Sequence, residues 1–221
     1  DEELAHRVER RARFEAEIAD QLRSLDERQL HANKDLLTLD LPCKLGMHSI
    51  VRRFLEAGAD LKPQQGSESF VMMPLSFIRF CPLEEDSVAT LELLLDHGYS
   101  IDTSAGPFGT ILCQAILYES TKLVVMLLRR GANLDIGGSF GSPLMIAACG
   151  EHRQLLELLL ENRIDVNRAY ESTVYLSDYD FPTGMTALHM CAASKHSSAN
   201  DIDLLVSHDA NLEAKNADGD T

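Results

Sequence analysis

The 221-residue chain carries 20 Lys and Arg against 35 Asp and Glu, a formal net charge of −15. That surplus opposes binding to nucleic-acid phosphates or anionic lipid by Coulomb repulsion, and no apolar run reaches the length of a membrane span. With 45% hydrophobic residues, 6% aromatics and no Trp, the chain is expected to bury a substantial core of Leu, Ile, Val and Ala, which suits helices.

The first stretch, DEELAHRVERRARFE, is charged throughout and unlike a secretory signal. Leu4, Val8, Ala12, Ile18, Leu22 and Leu25 recur mostly at three- and four-residue steps, which predicts an amphipathic helix with Phe14 off the stripe. Ser24 and Glu27 have the spacing of a capping box that starts another helix. Residues 1–36 are expected to cap the helix pairs that follow by hiding their apolar surface. The alternative is a helix that dimerises or meets a partner.

From about residue 37 the chain turns to leucine-rich helix pairs, of which the cleanest is GSPLMIAACGEHRQLLELLLENRIDVN, 141 to 167. Pro143 suits a first helical turn, where a missing N–H costs nothing. Ala147 and Ala148 keep that helix thin enough for close packing. Leu155, Leu156, Leu158, Leu159 and Leu160 give the second helix more apolar surface than one face can hide, so it needs neighbours on more than one side. Aligned on the residue that ends the second helix, the design recurs at Gly58, Gly98, Gly131, Arg163 and Asp209, at spacings of 40, 33, 32 and 46 residues.

A period near 33 with insertions resembles the ankyrin repeat, whose pattern runs T-P-L-H-x-A-A, then a helix of V-V-x-L-L-L type, then G-A-D-x-N. The traces are EAGADL at 56–61, RRGANLD at 129–135, SPLMIAA at 142–148, TALHMCA at 186–192 and DGDT at 218–221. The resemblance covers roughly 37–221. It implies an all-α ankyrin-repeat solenoid, helix-turn-helix repeats with β-hairpin-like loops, behind an N-terminal helical cap. Repeats are expected at about 37–61, 73–101, 110–135, 142–167 and 186–212, with a further one starting at 216–221. The chain is expected to continue, because Ile202, Leu204, Leu205 and Val206 otherwise lack a covering neighbour.

Departures from the pattern are informative. The first repeat has Thr38, Asp40 and Pro42 where Pro, His and Ala are usual. The second carries four extra residues, expected in the turn between its helices around CPLEED, 81–86. The third replaces the Pro and His by Ile111 and Cys113 but keeps its length and stripe. Before the fifth, about eleven residues are inserted within RAYESTVYLSDYDFP, 168–182. This segment is read as a loop, and it holds three of the five tyrosines, Tyr170, Tyr175 and Tyr179, with Asp178 and Asp180. The fifth repeat has the best first-helix motif and the weakest second helix, with Asp201 at a normally apolar site.

Signs of catalysis or metal binding are weak. Five cysteines without a C-x-x-C pair read as buried thiols in a reducing, intracellular compartment, cytoplasm or nucleus. His189, the motif histidine, is read as a structural hydrogen-bonder. His48 and His152 fall before second helices, and His97 and His208 in last turns, where a cation suits the helix dipole. No histidine has metal-ligand spacing of the usual kind. The glycines of GGSFGS, 137–142, are read as turn residues rather than a phosphate cradle. Asp178 and Asp180 are read as a solvated acidic loop rather than an acid–base pair.

Recognition remains. By resemblance, the partner surface is the concave side, built from hairpin tips and the exposed ends of first helices. Carried over position by position, the helix ends are Lys44, Leu45, Phe80, Leu117, Tyr118 and Ser194, and the tips Pro107, Phe108, Ser139, Phe140 and Pro182. Aromatic residues often dominate interface energetics, so Phe80, Phe108, Tyr118, Phe140 and the loop residues Tyr170, Tyr175, Asp178 and Tyr179 are the expected contacts; the alternative for each is local loop packing. The expected function is a non-catalytic scaffold or adaptor that binds another protein, without cofactor, metal, nucleic acid or membrane insertion. Residues 161–221 hold 11 acidic against 4 basic side chains, which favours a basic patch on the partner, although an acidic surface also serves solubility alone. The rival reading is an enzyme, or a regulatory domain of a larger protein, that shapes a ligand pocket with 168–182.

Overall fold

Five leucine-rich helices stop in the same way. In the computed structural model each ends two residues before a residue of positive φ: Gly58 (84°), Gly98 (92°), Gly131 (78°), Arg163 (58°) and Asp209 (64°). These are the five positions on which the sequence periods align. At four of them the following N–H reaches back five residues, as in Ala59 N–H to the Phe54 carbonyl and Ala210 N–H to the Leu205 carbonyl. That bond satisfies a helix-end carbonyl in the manner of a Schellman cap.

The structure describes residues 9, 12–13, 16, 39, 43, 47–59, 61, 84–104, 106–150, 152–171, 174–176, 179–195 and 198–221. They fall into two units, 1–100 and 101–221. The expected N-terminal cap lies almost wholly outside the described residues.

In the first unit, helix α1 (His48–Glu56) buries Ile50, Val51, Phe54 and Leu55 and packs against α2 (Glu84–Asp96). Helix α2 has 13 residues where α1 has nine. This corrects the expectation that four extra residues fill an inter-helix turn: Glu84, Glu85 and Asp86 are helical, and the extra length adds about one turn of helix. Buried in this helix, Thr90 satisfies its hydroxyl by donating to the Asp86 carbonyl at 2.7 Å.

In the second unit, short first helices alternate with nine-residue second helices: α3 (Ile111–Leu117) with α4 (Thr121–Arg129), α5 (Pro143–Cys149) with α6 (Arg153–Glu161), and α7 (Ala187–Ala193) with α8 (Ala199–Ser207). Helix α5 packs between α3 and α7. Flanked on two sides, it buries Pro143 through Ala148 without a polar face. Pro143 sits in its first turn, as expected.

The segment read as a loop at 168–182 contains a two-stranded antiparallel ribbon, a correction to that reading. Strand β1 (Val174–Leu176) pairs with β2 (Tyr179–Phe181) in the register Val174 with Phe181 and Tyr175 with Asp180. Asp180 thus lies on a strand. The bridge between Tyr170 and Met185 closes the segment at its base.

Candidate partner-binding surface

Each first helix of the second unit starts on a hydroxyl residue placed directly after a hairpin. Thr110, Ser142 and Thr186 are N-caps whose side chains accept from the N–H three residues on, at Cys113, Met145 and His189. The bonds satisfy amides that the helix cannot, and they fix where each hairpin meets its helix. His189 adds to this. Its Nδ1 accepts the Thr186 N–H at 3.2 Å, which leaves the proton on Nε2, and that proton faces the Asp220 carbonyl at 3.3 Å. Cys113 does a similar task with a thiol, donating to the Ile136 carbonyl at 3.4 Å.

The hairpins are therefore held by the helices behind them and by one another. Ser139 N–H donates to the Pro107 carbonyl at 2.7 Å, and Ala217 N–H to the Thr183 carbonyl at 2.9 Å. At the first of these junctions a side chain on Gly138 would fall inside van der Waals contact of Gly109 N and the Pro107 carbonyl, so only glycine permits the approach. The junction brings Phe108 and Phe140 together as a stacked pair, centroids 5.4 Å apart and planes 25° apart. Both rings are half-buried, and Pro107 beside them is exposed.

Tyr170, from the base of the inserted ribbon, donates its hydroxyl to the Gly138 carbonyl at 2.9 Å. Burial, and then the nearby Cys113, push its phenol above the usual range, which keeps the donating proton in place. Burial likewise raises the Cys113 thiol, and takes Cys149 to about 11. Both cysteines thus stay protonated near neutral pH.

Of the predicted contact residues, Pro107, Phe108, Ser139, Phe140 and Tyr170 are drawn into one cluster. Leu117 and Tyr118 lie at the opposite end of α3, about 10 Å along the helix axis. Tyr118 is 37% exposed. Tyr175 and Tyr179 sit on the two strands. Phe80 and Asp178, with Lys44 and Leu45, lie outside the described residues. Among the described residues, no group of three or more His, Cys, Asp and Glu side chains is placed to hold a metal, and no helix is long and apolar enough to cross a membrane.

The sequence reading missed the Arg153–Asp201 contact. Asp201 Oδ2 accepts from the Ser198 N–H (2.9 Å) and hydroxyl (2.7 Å), while Oδ1 accepts from Arg153 Nη1 at 3.2 Å. Burial alone would raise this carboxyl, but the Ser198 bonds and then the Arg153 guanidinium outweigh it and hold the group below its ordinary range. The signal was present: Ser198 and Asp201 have capping-box spacing.

Hairpin, capped short helix, leucine-rich second helix and left-handed stop form the repeating unit of a known class. The model of ankyrin repeats in three copies matches residues 81–170, and that of a single ankyrin repeat matches 183–217, together more than half of the chain. The chain belongs to the ankyrin repeat family, with the all-α solenoid fold of that class. Over 77 residues it is 38% identical to "Ankyrin repeat and SOCS box protein 11" of Danio rerio, a match that spans 35% of this chain and 26% of that relative. The crystal structure of the human ASB11 ankyrin repeat domain superposes with a TM-score of 0.56 at 24% identity, covering 74% of this chain and 65% of that one. That likeness is one of fold.

Proposed function

We propose that the chain is a non-catalytic interaction module that holds a partner protein against its hairpin tips and first-helix ends. The observation that carries this reading is the Phe108–Phe140 stack, two half-exposed rings at adjacent tips. Stacking of the repeats does not require aromatic residues there, and a rigid apolar platform with a polar rim is what an interface core needs. The acidic surplus favours a partner with a basic patch, because complementary charge speeds encounter and selects against acidic competitors. The inserted ribbon, anchored beside the stack by Tyr170, extends the same surface.

The test is the double variant Tyr118→Ala/Phe140→Ala. Its helical circular dichroism and urea midpoint should stay near wild type, since both side chains are at least partly exposed. Proteins captured by the wild-type chain and quantified by mass spectrometry should fall at least tenfold on the variant, about 1.4 kcal/mol or more. A folded variant that captures the same proteins equally well overturns the surface assignment.

A further inference from the structure

Glu119 stands out in the second unit. Its backbone has φ +57°, and the other described non-glycine residues of positive φ, Arg163 and Asp209, close second helices. Glu119 instead occupies the turn between α3 and α4, a place that glycine fills without strain. An outlier of this kind motivates a functional reading. Its carboxylate is 72% exposed, and the imidazole Nδ1 of His152 lies 3.5 Å from it. The preceding residue is Tyr118, whose ring is 37% exposed. Both sit at the C-terminal, electronegative end of α3. An aromatic face, a carboxylate and a helix C-terminus together suit a cation, and the chain carries a net charge of −15.

The apolar stack lies at the other end of the same short helix. The seven helical residues between them rise about 10 Å, a length an extended peptide covers with roughly three residues, and the reach of the two anchoring side chains covers the residues beyond the ends of the helix. Resting on the groove reading above, we propose that the partner presents an extended segment with two anchors. An apolar side chain seats against Phe108 and Phe140, and an arginine about three positions away pairs with Glu119 while its guanidinium lies over Tyr118. Arginine fits better than lysine because a planar fork matches a carboxylate and stacks on a ring at once.

The test uses the 15N-labelled 221-residue chain and Gly/Ser peptides that carry one Leu alone, or one Leu and one Arg separated by about two or about eight residues. The short-spaced peptide should shift the amides of Phe108, Phe140 and Tyr118 through Ser120 together, and bind about threefold tighter than the Leu-only peptide. That gain should vanish in Glu119→Gln, halve or more in Tyr118→Ala, and shrink with added salt. A gain retained in Glu119→Gln overturns the pairing. Leu-only peptides that shift the tips while Arg adds nothing overturn this inference and leave the groove reading standing. No shift at the tips with any peptide overturns both.

Discussion

Helices α6 and α8 hold corresponding places in neighbouring pairs and are secured by different means. Helix α6 buries Leu155, Leu156, Leu159 and Leu160, whereas α8 buries Leu205 and Asp201. The third residue of each makes the contrast sharp: Leu155 in α6 is Asp201 in α8. A buried leucine contributes through the apolar area it removes from water, without regard to direction. A buried carboxylate contributes only while its acceptors are satisfied. Asp201 meets that condition by closing a capping box with Ser198 and by reaching Arg153 across 48 residues of sequence. One helix is held by area and the other by the aim of a few polar bonds.

Substitutions separate the two mechanisms. Leu156→Ala empties a fully buried site and should lower the unfolding free energy by about 3 kcal/mol, measured by urea denaturation. Asp201→Ala should cost about 1–2 kcal/mol, since it removes a helix cap and an ion pair that is half-exposed on the Arg153 side. Only the second effect should depend on acid. Because Asp201 titrates below its ordinary value in the folded chain, its contribution is complete above about pH 4 and drains away as pH falls through and below that range. The gap between wild type and Asp201→Ala in urea midpoint should therefore narrow toward about pH 3. A gap unchanged over that range would show that α8 is held by area after all. Arg163→Gly should raise stability by about 0.5–1 kcal/mol, because Arg163 sits at φ 58° where the three preceding second helices end on Gly58, Gly98 and Gly131. Val206→Ala, at a side chain already 38% exposed, should change stability by less than about 0.5 kcal/mol.

The parts held by area were the parts legible in the sequence. Leucine stripes and the helix ends near Gly58, Gly98, Gly131, Arg163 and Asp209 follow from local periodicity, so the second helices, and in the second unit the pairs they form, are readable. The polar devices depend on partners distant in sequence. Asp201 read as a misfit on an apolar stripe until Arg153 and Ser198 stood beside it. The ribbon in 168–182 is hidden in the sequence because its two triplets, Val174–Leu176 and Tyr179–Phe181, are too short to show alternation and the two residues between them, Ser177 and Asp178, are not the glycine-bearing pair that marks a tight hairpin. At the surface, Phe108 and Phe140 stand out in the sequence only singly, each by its own position. Their stacking depends on the close approach of Gly109 and Gly138, which no pattern within a single repeat reveals. In the second repeat, part of the length expected in a turn is helix, since Glu84, Glu85 and Asp86 are helical; a length difference does not say whether a helix or a turn has grown.

On the proposed binding surface, the glycine junction between the two tips would set how fast a partner comes and goes. With backbone in contact with backbone and Tyr170 bracing the Gly138 carbonyl, the two rings occupy their places before any encounter, so docking has little loop disorder to quench. Changes to the ring faces should then leave the arrival rate almost untouched and shorten the lifetime of the complex.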